Sequence, residues 1–330
     1  IAESCFYEDI KKSLNKYDIE VASGEKAILE ASKRKVDIFI AAIMGYSGLY
    51  TTYSCIPYVK SIALANKESL VCAGSLIIDA AIINNCKIIP IDSEHNTLFQ
   101  LLDGSSQSYL KKIIITASGG PFLNLQKEDL EHVTPENAIK HPIWKMGAKI
   151  SVDSATLMNK GLELIEAAYL FNIDTSKIDI LIHPQSIIHA FIEYIDGIMK
   201  AGMYDPDMKI PIAYALHYPD RKINNSKKIN LTLIKNLNFQ EINKSLFNSV
   251  GICRSAFKSG PSYLIALNAS NEVAVNAFLN KKITFNNITV IIEKVLSNNF
   301  QTKISRINDI IEVDKKARSI ADSFINKGSL

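Results

Sequence analysis

Asp92 and Glu94 flank Ser93 directly behind the apolar run Lys87-Ile88-Ile89-Pro90-Ile91. In an extended segment residues i and i+2 point the same way, so two carboxylates would converge where a strand ends. Hard oxygen donors of this kind suit Mg2+ or Mn2+. A firm anchor needs a third acid. Glu163, one helical turn after Lys160 in Asn159-Lys160-Gly161-Leu162-Glu163, is the best candidate. The same Asp-Ser-Glu run also reads as a loop with two solvated acids. Ser118-Gly119-Gly120 follows another apolar run, Ser154 and Thr156 precede or open a helix, and Asn159 and Lys160 lie a turn further on. Hydroxyls, an amide, backbone N–H groups and an ammonium together make a phosphate pocket. Taken singly, they read as a β-turn and an N-cap.

His141-Pro142-Ile143-Trp144-Lys145-Met146-Gly147 holds the only Trp of the chain. A Trp beside a His in a loop bounded by Pro and Gly reads either as a lid over a ligand or as a hydrophobic plug. Lys67, between Asn66 and Glu68, stands at a strand end or in a surface ion pair. His183 and His189 sit near apolar strands, where a satisfied core histidine is the default. Cys72 and Cys86 read as small buried hydrophobes.

These residues need a scaffold that brings strand ends together. Tyr17-Asp18-Ile19-Glu20-Val21 is a strand candidate, and Gly24 to Ala31 reads as a helix. Val36 to Ile43, Ser61 to Ala65 and Lys87 to Ile91 read as buried parallel strands, with helices over Leu49–Lys60, interrupted near Pro57, and Ser69–Ala81. Ligands of such sheets sit beyond the carboxyl ends of the strands. Lys112–Thr116, Asp179–His183 and Ala190–Asp196 give further strands, and a long helix lies within Asp153–Phe171. Residues 221–250, rich in Asn and Lys, read as a connection, and the chain is mostly helical from about residue 255. The 330 residues carry 37 Lys+Arg against 34 Asp+Glu, a net +3 that gives no case for nucleic acid or an anionic membrane as partner. Five scattered cysteines without CxxC spacing read as reduced thiols.

Seven segments then resemble, in family order, the 1-deoxy-D-xylulose 5-phosphate reductoisomerases. They are Ala63-Leu64-Ala65-Asn66-Lys67-Glu68-Ser69-Leu70-Val71, Pro90-Ile91-Asp92-Ser93-Glu94-His95-Asn96, Thr116-Ala117-Ser118-Gly119-Gly120-Pro121-Phe122, Asp153-Ser154-Ala155-Thr156-Leu157-Met158-Asn159-Lys160-Gly161-Leu162-Glu163, His183-Pro184-Gln185-Ser186-Ile187-Ile188-His189, Pro206-Asp207-Met208 and Leu267-Asn268-Ala269-Ser270-Asn271-Glu272-Val273-Ala274-Val275. The resemblance implies NADPH-dependent conversion of 1-deoxy-D-xylulose 5-phosphate to 2-C-methyl-D-erythritol 4-phosphate in the non-mevalonate isoprenoid pathway. It implies a homodimer using Mg2+ or Mn2+, with Co2+ a further option. By the same resemblance the metal ligands are Asp92, Glu94 and Glu163. The substrate meets Lys67, Ser93, Ser118, His141, Ser154, Asn159, Lys160 and Glu163, and Asn66, Glu68 and Gly147 touch NADPH. Trp144 and Met146 belong to a mobile flap, and Ser186 and Met208 line the site. Lys67, His141 and the three acids are the expected catalytic set.

The implied fold is α/β in three parts: a Rossmann-like NADPH-binding domain (1–92), a catalytic, metal-binding and dimerisation α/β domain (93–217) and, after a linker (218–244), a C-terminal helical domain (245–330). No GxGxxG turn occurs near the start. The expectation is therefore a chain lacking its N-terminal glycine-rich segment, with the first domain incomplete, NADPH binding weak and the piece by itself inactive. The stretch 101–106 is short for the family. A metal-dependent sugar-phosphate isomerase without a redox step and a non-catalytic phosphate binder are the rival classes. The expected location is the bacterial cytoplasm, with a plastid-type organelle as alternative; an AT-rich genome would account for the abundance of Asn, Lys and Ile.

Overall fold

The computed structural model describes residues 2–104 and 106–326. Ser105, within the stretch expected to be short, and the end of the expected C-terminal domain at 327–330 lie outside the described residues. Two short helices open the chain, α1 (Tyr7–Leu14) and α2 (Glu25–Ser32). The strand expected over Tyr17–Val21 does not form. Tyr17 and Ile19 are exposed, so no buried face offsets the cost of ordering a strand there.

Three parallel strands follow, in the order β1 (Val36–Ala41), β2 (Val59–Leu64), β3 (Lys87–Pro90). Helix α3 (Leu49–Cys55) stops just ahead of Pro57, and α4 (Lys67–Ile83) crosses from β2 to β3. Asn66 caps α4, its side-chain oxygen accepting the Ser69 N–H at 2.7 Å. The chain then turns into α5 (Ser93–Leu102). Asp92 to Glu94 is therefore not extended. Asp92 is the N-cap and Glu94 belongs to the first turn, so the two acids converge through a helix start and not through strand alternation. The Asp92 carboxylate makes no cap hydrogen bond; it is drawn into the site described below.

A second sheet has the order β5-β4-β6-β7, from β4 (Leu110–Ala117), β5 (Ile178–Ile182), β6 (Ile188–Tyr194) and β7 (Met199–Met203). Only the β4–β5 pair is parallel. The expected strands stop at Asp196, and β7 is an addition. Its signal was the Asp196-Gly197 pair, since Asp-Gly between apolar runs favours a hairpin turn, and Gly197 takes φ +92°. Between β4 and β5 lie the short α6 (Lys127–Leu130) and α7 (Pro135–Ala138), a loop over residues 139–147, α8 (Ala148–Ala155) and α9 (Met158–Phe171). Leu157, left-handed at φ 60°, breaks the expected long helix between α8 and α9. Gly161 lets α9 lie against the helix beyond the linker, because a Cβ there would meet the Cys253 sulfur at 2.4 Å.

After α10 (Lys209–His217), residues 218–248 hold one 3-10 turn and no α-helix or strand. Helices α11 (Ser249–Ser259), α12 (Pro261–Leu279), α13 (Asn287–Leu296) and α14 (Ile307–Asn326) follow. The main apolar core runs from β1–β2 through α4 and α9 into α12 and α14, with a small second cluster of Ala63, Ile89, Ile91 and Ala215 on the other face of the first sheet. It holds the strand ends of the two sheets in fixed relation.

Candidate active site

Several segments meet at one hollow. The N-cap and first turn of α5 deliver Asp92, Ser93 and Glu94, the first residue of α4 is Lys67, and the turn after β4 delivers Ser118. The 139–147 loop brings His141, Trp144 and Met146. Helices α8 and α9 bring Ser154, Asn159, Lys160 and Glu163, while Ser186 and Met208 close the far side. Every residue expected to meet substrate or metal lines this cavity of about 230 Å³.

Oxygens of Asp92, Glu94 and Glu163 lie within 4.8 Å of one another. Two lysines are threaded between them. The Lys67 ammonium donates to Asp92, to Asn159 at 3.0 Å and to Glu163 at 3.0 Å. Lys160 donates to Glu94 and, at 2.6 Å, to Glu163. Lys67, Lys160 and Glu163 are almost wholly buried, so these charges act in a low-dielectric setting. Burial would lower the Lys67 pKa, but the charges of Asp92 and Glu163 outweigh it and hold it well above its usual value. Burial also tends to raise Asp92, where Lys67 prevails and keeps the carboxylate ionised. Burial, then the neighbouring charge of Glu163, pushes Glu94 up to about 8 against the pull of Lys160. With all three acids ionised the cluster would carry one negative charge more than its two ammoniums settle, and burial together with that repulsion makes Glu94 hold its proton. The oxygen-only donor set and this latent surplus fit a hard divalent cation.

The rest of the cavity is built for a neutral imidazole and hydroxyl groups. His141 Nδ1 accepts the Trp144 N–H at 2.9 Å and the Ile143 N–H at 3.2 Å, which leaves Nε2 to donate to Ser118 Oγ at 2.9 Å. Burial lowers its pKa to about 4, with Lys160 adding to the shift, so it is neutral at ordinary pH. His189 is buried as a core histidine should be, yet it also lines the cavity. Its ring stacks on Tyr204 with 3.7 Å between centroids, meets Trp144 edge-on and reaches Ser93 Oγ at 3.2 Å. His183 stays in the core, bonded to the Asn238 carbonyl at 2.8 Å. Cys72 and Cys86 are buried, and burial raises both thiols, Cys86 to about 11.

Asn66, Glu68 and Gly147 fall in an adjoining cleft of about 450 Å³, which shares Lys67 and Asn159 with the cavity and reaches Met44, Gly45 and Glu272. Glu68 is bridged there by Lys149 at 2.7 Å, and Lys149 also meets Asp153 at 2.9 Å. The reading of motifs passed over Lys149, His95 and Glu166. His95 lies 3.6 Å from both Asp92 and Glu166 behind the carboxylates. The Glu-His-Asn that follows Ser93 within a recognised segment was the available signal for His95; Glu166 had none.

A parallel sheet with a cleft beside its strand ends, joined to a buried three-acid, two-lysine cavity, defines a metal-assisted enzyme of small phosphorylated substrates. The comparisons narrow this class. Residues 1–74 match the family model for 1-deoxy-D-xylulose 5-phosphate reductoisomerase, and residues 88–171 and 203–320 match two models for C-terminal domains of the same enzyme. A reductoisomerase of that name from Zymomonas mobilis is 43% identical over 318 residues, covering 96% of this chain and 82% of the relative. The solved structure from Zymomonas mobilis in complex with NADPH superposes with a TM-score of 0.93 at 42% identity, covering 98% of this chain and 84% of that one. A second structure, in complex with NADPH, fosmidomycin and magnesium, gives 0.91 at 38% identity, covering 98% and 85%. The chain belongs to the 1-deoxy-D-xylulose 5-phosphate reductoisomerase family.

This corrects the expectation of a chain lacking its nucleotide-binding segment and of an incomplete first domain. Residues 1–74 are themselves matched as the N-terminal part of the family, and the nucleotide-binding, catalytic and C-terminal helical parts are all represented. A missing GxGxxG describes one turn; the domain is carried as well by β1, β2 and the loop between them. The expected weakness in NADPH binding loses its ground with it.

Proposed function

We propose that the lysine-bridged cavity is where this chain performs its family's reaction. The activity is the NADPH-dependent conversion of 1-deoxy-D-xylulose 5-phosphate to 2-C-methyl-D-erythritol 4-phosphate. The cofactors are NADPH and Mg2+ or Mn2+, and the substrate is a small sugar phosphate. Asp92, Glu94 and Glu163 are the proposed ligands of the divalent ion. When bound, that ion supplies Lewis acidity to the sugar's carbonyl and hydroxyl oxygens. The dinucleotide supplies the hydride from the adjoining cleft, against Asn66, Glu68 and Gly147.

The chain's own groups do the rest. Lys67, released from its carboxylates in part as positive charge arrives, steadies oxygen charge that develops during carbon–carbon rearrangement. Lys160, Ser118, Ser154, Asn159 and Ser186 hold the phosphate end. Neutral His141, fixed by two backbone N–H groups, donates from Nε2 and orients oxygen atoms; it binds more than it shuttles protons. Trp144 and Met146 cover the carbon skeleton and keep water out. Ser93 and Met208 shape the remaining wall.

The observation that carries this reading is the convergence of three acids, two from the start of α5 and one from α9, within 4.8 Å. Its support for the catalytic set is chemical: two ammoniums bridge three carboxylates, and Glu94, its pKa pushed up to about 8, is the acid that a divalent cation would bring to full ionisation. The test is NADPH consumption with substrate and Mg2+ or Mn2+, against a Glu163→Gln control. Turnover no higher than the control would reject the assignment.

We place the domain boundaries at 92, 217 and 244, supported by the break in regular structure over 218–248. A homodimer is proposed through β7, an edge strand beside which Ile195, Ile198, Met199 and Met203 stand exposed. A reducing compartment, the bacterial cytoplasm, is supported by five free cysteines, four of them buried. Among the described residues no helix is long and apolar enough to cross a membrane.

A further inference from the structure

Beside the cleft proposed for the dinucleotide, one wall comes from the C-terminal helices. Glu272, Val275, Asn276 and Leu279 of α12 face Met44, Gly45 and Gly147. The loop over residues 42–48 leaves the carboxyl end of β1, the position where parallel sheets bind ligands. The neighbouring Thr51 and Thr52 hydroxyls donate to its Gly48 carbonyl, and two side chains from further away hold its middle. From its own domain, Asn66 Nδ2 donates to the carbonyls of Ile43 at 2.6 Å and Gly45 at 2.9 Å. From a separation of 226 residues, Glu272 Oε1 accepts the Tyr46 N–H at 2.9 Å. Gly45 takes φ +68°, and a Cβ there would come within 3.0 Å of the same carboxylate oxygen, so loop and acid are in tight register.

Glu272 is itself held in place. Arg318 of α14 donates to Oε2 at 2.5 Å and to Asp314 at 2.8 Å, and Asn268 donates to Oε1 at 3.2 Å. The Arg318 guanidinium lies 5.7 Å from the centre of the Tyr46 ring. One carboxylate oxygen thus serves the cleft loop while the other is tied to the last helix. None of these groups reaches the carboxylate–lysine cavity.

We infer that Glu272 is a positioning residue for NADPH: the C-terminal helical domain, through Glu272 fixed by Arg318, sets the 42–48 loop in the shape the cofactor meets. This rests on the reading that the cleft holds the dinucleotide. Without the acceptor, the Tyr46 N–H loses a charge-assisted partner and the loop samples more states, each binding event then selecting one of them.

The experiment is a fluorescence titration of the full chain with NADPH, without substrate, alongside thermal unfolding. Glu272→Ala should raise the Kd for NADPH about tenfold, with the KM for the sugar phosphate within about twofold. Glu272→Gln keeps an acceptor for Tyr46 but forfeits the ion pair with Arg318. It should recover most of the affinity even where its Tm stays lowered, a split that a purely structural role does not give. Should Glu272→Ala fail to fold, Arg318→Met, which frees the acid but leaves it in place, should show a smaller loss of affinity of the same kind. Gly147→Phe serves as control, since a Cβ at Gly147 meets nothing within 4 Å and a ring there fills the cleft. Loss of NADPH binding in Gly147→Phe with wild-type affinity in the Glu272 variants overturns the inference and leaves the reading of the cleft standing. Affinity that merely tracks Tm across the set also overturns it. Wild-type affinity in Gly147→Phe removes the reading of the cleft and the inference with it.

Discussion

The cavity around Asp92, Glu94 and Glu163 and the cleft around Gly45, Glu68 and Gly147 share Lys67 and Asn159 but have walls of different kinds. In the cavity, charged side chains aim at one point and bond to one another. In the cleft, small and apolar residues make up much of the wall beside the Glu68–Lys149–Asp153 bridge, and the 42–48 loop is held from behind by Asn66 and Glu272. A charged pocket must cluster rare residue types, whereas a surface for a flat, mostly uncharged ring needs shape. The first kind of site depends on individual charges. The second depends on how well distant elements hold a loop.

The largest expected effect is at the acids. Asp92→Asn or Glu163→Gln should lower kcat by about a thousandfold or more, measured by NADPH consumption, while the Kd for NADPH stays near wild type. A variant of either kind with normal turnover would erase the contrast between the two regions. Next comes Lys160→Ala. It should raise the KM for the sugar phosphate roughly tenfold and leave NADPH affinity alone. Equal weakening of both ligands would mean that the ammonium serves the two hollows together.

A pH experiment sharpens the comparison from the cavity wall. Burial lowers the His189 pKa to about 4 from an ordinary 6.5. Between those values the unfolded chain takes up a proton that the folded chain refuses, so stability falls as pH drops through that window. The full shift corresponds to at most roughly 3 kcal/mol. His189→Gln should flatten the decline in urea unfolding between pH 7 and about 4.5. The decline should not vanish, because His141 is lowered in the same direction. An unchanged slope would show that His189 carries its proton within the fold. The smallest effect on catalysis is expected far from both regions. Ile198→Lys with Met199→Lys on the β7 edge should shift sedimentation from dimer to monomer, with little change in turnover per chain. A dimer that persists would move the interface elsewhere.

The same contrast explains what the sequence made legible. Lys67, Asp92, Glu94, Ser118, Asn159, Lys160 and Glu163 sit in short runs at strand ends and helix starts, where local pattern and chemistry coincide. The order of strands and helices from Val36 to Pro90 was readable for the same reason, because buried parallel strands are continuous apolar runs. The geometry behind Asp-Ser-Glu was not readable: one residue of helix start replaces strand alternation, and the acids converge all the same. Glu272 and Tyr46 lie 226 residues apart, and no period or motif announces such a contact. The Tyr17–Val21 run failed as a strand because strand propensity without a pairing edge and a buried face orders nothing.

The central claim is that Asp92, Glu94 and Glu163 share one divalent ion. Titration of the protein with Mn2+, followed by the electron paramagnetic resonance signal of the free ion, tests it without turnover. The account predicts one tight Mn2+ per chain, lost in Glu163→Gln while the NADPH titration remains that of the wild type. Undiminished Mn2+ binding by Glu163→Gln would contradict it.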